Sequence, residues 1–215
     1  IEECQKNPNF AINLNINGTA YFIEKFLEKG CHIIFMSSDA IFGVTESICK
    51  EESNINPISV YGESKAIIED KFKSSENFKS FRLSYVFSLN DKFTTYLNNC
   101  AKNGETASVF SGIYRSVVVL DDLYKGCLNI IKKWKSFPKP FVNIAGPECI
   151  SREDIAFCMK KNYMLDLNYK IITPPSEFFI NRPRKVLMDI NLFKELLEKN
   201  PLSIKDEIMN NLKNI

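Results

Sequence analysis

Tyr61 and Lys65 stand four residues apart in the run Ser59-Val60-Tyr61-Gly62-Glu63-Ser64-Lys65. On a helix, that spacing stacks both side chains on one face. A phenol has a reference pKa of about 10 and exchanges protons poorly at neutral pH. A neighbouring ammonium favours the phenolate. Bringing the phenol to pH 7 takes about 4 kcal/mol of differential stabilisation. The pair therefore has the makings of a general acid/base unit. The same spacing also describes a tyrosine packed beside a solvated lysine, so the neighbours must decide. Ser37, Ser38 and Asp39 follow the apolar run Ile33-Ile34-Phe35-Met36. A serine hydroxyl there can bond a substrate carbonyl, the tyrosine can exchange its proton, and the lysine can hold a phenolate and a ribose. Those roles suit hydride transfer to or from a nicotinamide.

The elements around these residues follow from periodicity. Asn13 to Lys29 has helical spacing and stops at Gly30. Cys31 to Met36 reads as a strand buried on both faces, as in a parallel sheet. Ligands of open α/β sheets bind outside the carboxyl ends of such strands. Residues 45–57 read as a loop, Val60 to Phe72 as a helix, and Phe81 to Phe87 as the next strand. This is the grammar of a doubly wound sheet. Beyond it, helices are expected over 93–102 and over 122–133, the latter capped by Asp121. Ser151-Arg152-Glu153-Asp154 reads as the N-terminal cap of a helix through Lys161. Strands are expected over 117–120, 141–145 and 169–172, and closing helices over 189–199 and 202–212.

Composition narrows the class. The chain has 215 residues, 45% hydrophobic and 25% charged, with a net charge of +2. That balance fits a globular domain and gives no global argument for nucleic acid. The basic cluster Lys132-Lys133-Trp134-Lys135 reads as a solvated helix end. No apolar run approaches the roughly 20 residues of a membrane span. Seven scattered cysteines and one histidine, His32, match neither a disulfide framework nor a zinc site. Reduced thiols of a cytoplasmic protein are the expectation, and His32, opening an apolar strand, reads as structural.

Several motifs in order carry a resemblance. They are Ile34-Phe35-Met36-Ser37-Ser38-Asp39 with Phe42-Gly43, Asn56-Pro57 through Tyr61 and Lys65 to Glu69, and Arg82-Leu83-Ser84-Tyr85-Val86-Phe87. Ala11-x-x-Leu14-Asn15 with Gly18-Thr19 precedes them. Arg115-Ser116-Val117 through Asp122-Leu123, Asn143-Ile144-Ala145-Gly146 and Arg182-Pro183 follow. Together they resemble the extended short-chain dehydrogenase/reductase family, most closely its dTDP-4-dehydrorhamnose reductases. The resemblance implies an α/β Rossmann-type doubly wound parallel sheet with a small α/β substrate-binding region. Residues 1–90 would belong to the cofactor domain and 91–215 mainly to the substrate region, with 117–146 returning to the sheet.

The resemblance also implies roles. Ser38 and Tyr61 would polarise and protonate the substrate carbonyl, and Lys65 would lower the tyrosine pKa and bind the nicotinamide ribose. Ser37, Ser84 and Tyr85 would lie at the cofactor, either NADP(H) or NAD(H). Asp39, Arg115 and Arg182 would face a nucleotide-sugar substrate, since guanidinium forks match phosphate oxygens. Asn15 would support the proton relay. No nucleic acid, membrane or metal partner is implied, and a homodimer is compatible with the reading.

Two departures qualify it. The family's opening glycine-rich turn, which seats the cofactor pyrophosphate at a helix N-terminus, is absent from these residues. The expectation is a C-terminal fragment of a longer protein, with one sheet edge unpaired and weak dinucleotide binding and activity of its own. Ala40 stands where these reductases carry Tyr and 4,6-dehydratases carry Glu, which disfavours dehydration. The implied reaction is NAD(P)H-dependent reduction of a 4-keto nucleotide sugar. The alternatives are a nucleotide-sugar epimerase and a non-catalytic regulatory subunit like the β subunit of methionine adenosyltransferase.

Overall fold

A computed structural model describes residues 1–212. The chain opens with the short helices α1 (Glu2–Lys6) and α2 (Pro8–Ile12), then six residues of π-helix, Asn13–Gly18, that continue into α3 (Thr19–Leu27). The site-bearing part follows: β1 (Ile33–Ser38), α4 (Val60–Phe72), β2 (Phe78–Leu83) and β3 (Val86–Phe87). Next come α5 (Lys92–Asn103), β4 (Thr106–Phe110), β5 (Tyr114–Ser116), β6 (Val118–Val119) and α6 (Leu120–Lys132). The remainder is β7 (Phe141–Ile144), β8 (Cys149–Ser151), α7 (Arg152–Asn162), β9 (Asn168–Ile172), β10 (Lys185–Val186), α8 (Asn191–Leu197) and α9 (Ile204–Leu212). No described helix is long and apolar enough to cross a membrane.

The strands β1, β2 and β7 form a parallel sheet in that order. Ser38 pairs with Leu83 and Leu83 with Ile144, so the three carboxyl ends lie level. Side chains alternate across a strand, and β2 shows both faces at work. Phe78, Ser80 and Arg82 face α4, while Lys79 and Phe81 face the opposite layer. On the first face Phe78 packs with Phe35, Ile68, Phe72 and Ile23 of α3. On the other, Phe81 packs with Ile130 of α6 and Phe193 of α8. A second core under α5, α7 and α9 holds β4 and β9, and includes Leu97, Val109, Ile155 and Ile208.

Several expectations shift. The first strand runs two residues later than its apolar composition suggests, so Ser37 and Ser38 lie inside it. It is not buried on both faces: among the described residues β1 is an edge, and Met36 is 39% exposed. The expected strand over 81–87 is two strands, broken at Ser84-Tyr85, where β2 leaves the main sheet and β3 pairs with β6. Asp121 does not cap α6. The N-cap is Val119, and the Asp121 carboxylate instead lies 2.5 Å from the Lys125 ammonium one turn on. By contrast, α4 spans the expected residues, and Ser151 and Asp154 form the expected capping box. His32 stacks on Trp134 with ring centroids 4.4 Å apart.

Candidate active site

Tyr61 is set by the start of α4. Ser59 caps the helix, its hydroxyl accepting from the Gly62 amide at 3.1 Å. Gly62 is required here: a Cβ would stand 2.5 Å from the Ala40 carbonyl oxygen. The first turn of α4 thereby rests directly against the short 3-10 turn Asp39–Ile41 that follows β1. Ser38 caps that turn, accepting from the Ala40 amide at 3.2 Å. Two polar caps on touching elements bring the Ser38 hydroxyl and the Tyr61 phenol together.

A cavity of about 520 Å³ opens at the level carboxyl ends of β1 and β2. Its lining includes Ser37, Ser38, Asp39, Tyr61, Ser84, Tyr85, Arg115 and Arg182, eight of the ten residues singled out from sequence. Ser37 and Ser84 are buried, and their hydroxyl oxygens have no hydrogen-bond partner. Buried polar groups are nearly always satisfied. Two orphaned hydroxyls beside one cavity therefore mark positions that a polar ligand would complete.

Lys65 stands behind the cavity. Its ammonium donates to the Met36 carbonyl of β1 at 2.8 Å. It also lies over the Phe35 and Tyr61 rings, 4.7 and 5.7 Å from their centroids. The expected lowering of the phenol pKa is not what this arrangement produces. Burial pushes Tyr61 up, against the opposing hydrogen bond of Ser38, with Asp39 adding to the rise. The Lys65 ammonium engages the Met36 carbonyl from over the ring face. Burial likewise pulls Lys65 down.

Asn15 lies on the π-helical segment, away from the cavity lining, and donates to the Cys4 thiol at 3.6 Å. Arg115 meets protein at each of its three side-chain nitrogens. Its Nε lies 3.1 Å from the Asp39 carboxylate. Its terminal nitrogens donate to the carbonyls of Tyr114 at 2.7 Å, Arg184 at 3.3 Å and Pro183 at 2.9 Å. Burial raises the Asp39 pKa, and Arg115 opposes that rise. Arg182 pairs with Glu2 and lies over the Phe178 ring. Tyr85 donates to Asp91 at 2.6 Å, and burial with that bond raises its pKa, keeping it neutral.

Arg152 also lines the cavity and was read from sequence only as part of a helix cap. Its position at the first residue of α7 gives no signal of this. Its guanidinium lies over the rings of Tyr85, at the break between β2 and β3, and of Phe93 on α5.

A three-layer α/β fold with a Ser-Tyr-Lys set and orphaned hydroxyls at its strand ends has the form of a short-chain dehydrogenase/reductase. The comparisons agree: the RmlD substrate binding domain model matches residues 1–214, and the chain belongs to that family. Its fold is that of the dTDP-4-dehydrorhamnose reductase of Bacillus anthracis solved in complex with NADP (TM-score 0.83, 19% identity, covering 99% of this chain and 76% of that one). A dTDP-4-dehydrorhamnose reductase from Clostridium acetobutylicum is similar (TM-score 0.82, 18% identity, covering 100% and 78%). Among curated proteins, UDP-glucose 4-epimerase 2 of Oryza sativa subsp. japonica is 33% identical over 72 residues, 33% of this chain. That match spans 18% of the relative's own length.

Proposed function

We propose that this chain carries the proton-transfer and substrate part of an NAD(P)H-dependent reductase of a 4-keto nucleotide sugar. The observation that carries the reading is convergence. Ser38, Tyr61 and two unpartnered hydroxyls, Ser37 and Ser84, meet at one cavity at the strand ends. The orphaned hydroxyls fit the nicotinamide end of NADP(H) or NAD(H), which when bound supplies the hydride. The glycine-rich cradle for the cofactor's pyrophosphate is not in this sequence. On this reading residues 1–90 and 117–146 serve the cofactor side and the rest mainly the substrate side, in a cytoplasmic protein.

The chain's own residues then divide the work. The Ser38 hydroxyl donates to the C4 oxygen and polarises it. The Tyr61 phenol donates to the same oxygen and gives up its proton as negative charge develops there. Burial keeps that phenol protonated through neutral pH, which loads the donor for reduction. Lys65 fixes the ring and holds a positive charge beside it, which stabilises the phenolate left behind. Arg115 holds Asp39 and closes that wall of the cavity.

An epimerase is the second reading, favoured by the UDP-glucose 4-epimerase match. The two differ in stoichiometry, since an epimerase regenerates its cofactor. Full-length protein carrying this chain is incubated with NADPH and dTDP-4-dehydrorhamnose, and absorbance at the nicotinamide band is followed. The reductase reading expects one equivalent of NADPH consumed per sugar. Interconversion of UDP-sugars with no net NAD(P)H consumption would replace it with the epimerase.

A further inference from the structure

Asp39 is a carboxyl with one oxygen engaged and one open. Its side chain is 13% exposed. Oδ1 meets the Ser38 hydroxyl at 3.2 Å. Oδ2 is buried and has no hydrogen bond, because the Arg115 Nε stands 3.1 Å away but off the line that a hydrogen bond requires. A carboxylate held this way is poorly satisfied, and burial raises its pKa against the pull of Arg115. The titratable groups facing it are Arg115 from β5, Tyr61 from α4 and the Cys49 thiol from the loop that follows the Asp39–Ile41 turn. Asp39 is therefore a carboxyl that takes up a proton where an exposed one would not.

The Ser38 hydroxyl joins this carboxyl to the phenol. It hydrogen-bonds Tyr61 on one side and Asp39 on the other, while the Ala40 amide fixes its oxygen at 3.2 Å. A hydroxyl both donates and accepts, so a proton on Oδ1 of Asp39 reverses that contact without moving an atom. All three residues line the cavity at the strand ends. Each reduction leaves Tyr61 as a phenolate that must regain a proton before the next. The other polar residues behind the phenol are engaged elsewhere. Asn15 donates to the Cys4 thiol, and the Lys65 ammonium donates to the Met36 carbonyl at 2.8 Å. The line from Asp39 through Ser38 to Tyr61 is the one that reaches the phenol oxygen.

We propose that Asp39 reloads Tyr61 with its proton through the Ser38 hydroxyl. Once the product alcohol has left, the Ser38 O–H bond breaks toward the phenolate oxygen as the Asp39 O–H bond breaks toward Ser38 Oγ. Tyr61 regains its phenol and Ser38 its hydroxyl. Asp39 is left as a carboxylate beside Arg115, and water in the cavity returns a proton to it. Protons alone move, so the step needs no oxidant or reductant. In the parent this passage outpaces hydride transfer and leaves no mark on the pH profile. The inference rests on the reductase reading above.

Its test is rapid mixing of full-length protein carrying this chain, and of Asp39→Asn, with NADPH and dTDP-4-dehydrorhamnose. The nicotinamide and phenolate absorbances are followed together. Asp39→Asn should consume about one equivalent of NADPH per site in a burst and then turn over on the order of 10²-fold more slowly, with phenolate accumulating. Formate, a small acid that fits the cavity, should restore part of the slow phase. Asp39→Glu keeps the carboxyl and should show no burst. Thermal melts monitor the fold; if Asp39→Asn melts early, Asp39→Ser is read in the same way. Steady turnover close to the parent in the folded variant overturns the proposal. So does a loss without a burst or phenolate, because Asp39 would then serve binding or hydride transfer itself. A parent that consumes no NADPH strikes the reductase reading, and this inference with it; a parent that turns over beside a variant without a burst strikes the relay alone.

Discussion

Arg82 and Arg152 are built alike and used differently. Each guanidinium lies over two aromatic rings: Phe42 and Phe141 at 5.3 and 4.4 Å for Arg82, Tyr85 and Phe93 for Arg152. Arg82 is 1% exposed and closed on all sides. It donates to both Glu69 oxygens, at 3.2, 3.1 and 2.8 Å, and to the Glu51 carbonyl at 2.7 Å. Glu69 also accepts from Ser80 at 2.8 Å. Arg152 faces a cavity with its donors open. The contrast separates a charge that holds α4 against β2 from one that faces a cavity without a charged partner among the described residues. A charge taken fully from water needs partners, as Arg82 has; a half-buried one at a cavity mouth does not.

The comparison breaks most visibly at Glu69. Glu69→Ala leaves Arg82 buried and uncompensated, with an expected loss of about 3–5 kcal/mol in denaturant unfolding. Because α4 carries Tyr61, turnover should fall with the folded fraction. Replacing both partners, Glu69→Leu with Arg82→Met, should recover much of the stability, since matched apolar pairs often stand in for buried ion pairs. A double variant no more stable than Glu69→Ala would show that the network does more than satisfy itself.

A smaller effect is expected at Gly62. The 2.5 Å approach of a Cβ to the Ala40 carbonyl forces α4 away from the Asp39–Ile41 turn in Gly62→Ala. Overpacking of this kind costs about 1–3 kcal/mol. Turnover should drop further than stability, because the Ser38–Tyr61 alignment depends on that contact. Equal losses in both would make Gly62 a packing residue only.

The smallest stability effect belongs to Ser84, on the open side of the comparison. Its hydroxyl is buried and unpartnered, so Ser84→Ala should change stability by less than about 1 kcal/mol and tend to raise it. The cofactor KM should rise nonetheless. A clear loss of stability with unchanged KM would move Ser84 to the structural side.

Much of this was legible in sequence because it is local. The helix carrying Tyr61 has a serine cap, helical periodicity and no breaker, and its residues fall where expected. The Ser151 capping box is likewise a four-residue pattern. What escaped depends on packing. Asp121 has a better use at Lys125 than at the helix end. The direction of the Tyr61 pKa is set by burial, which spacing does not reveal. Nothing within four residues of Arg152 says that Tyr85 and Phe93 will flank it while leaving its donors free.

The proton donor is the centre of the account, and its pH profile tests it most directly. The rate of NADPH-dependent reduction of dTDP-4-dehydrorhamnose is measured against pH for the parent and Tyr61→Phe. With its pKa pushed up by burial, Tyr61 stays protonated across neutral pH. The parent rate should therefore hold through neutrality and fall only at alkaline pH, above the ordinary phenol value of about 10. Tyr61→Phe should lose roughly 10²- to 10⁴-fold in rate and, with it, the alkaline fall. A Tyr61→Phe enzyme with parent-like turnover, or a parent rate already falling between pH 6 and 8 (roughly the range where a phenol lowered toward ~7 would titrate), would contradict it.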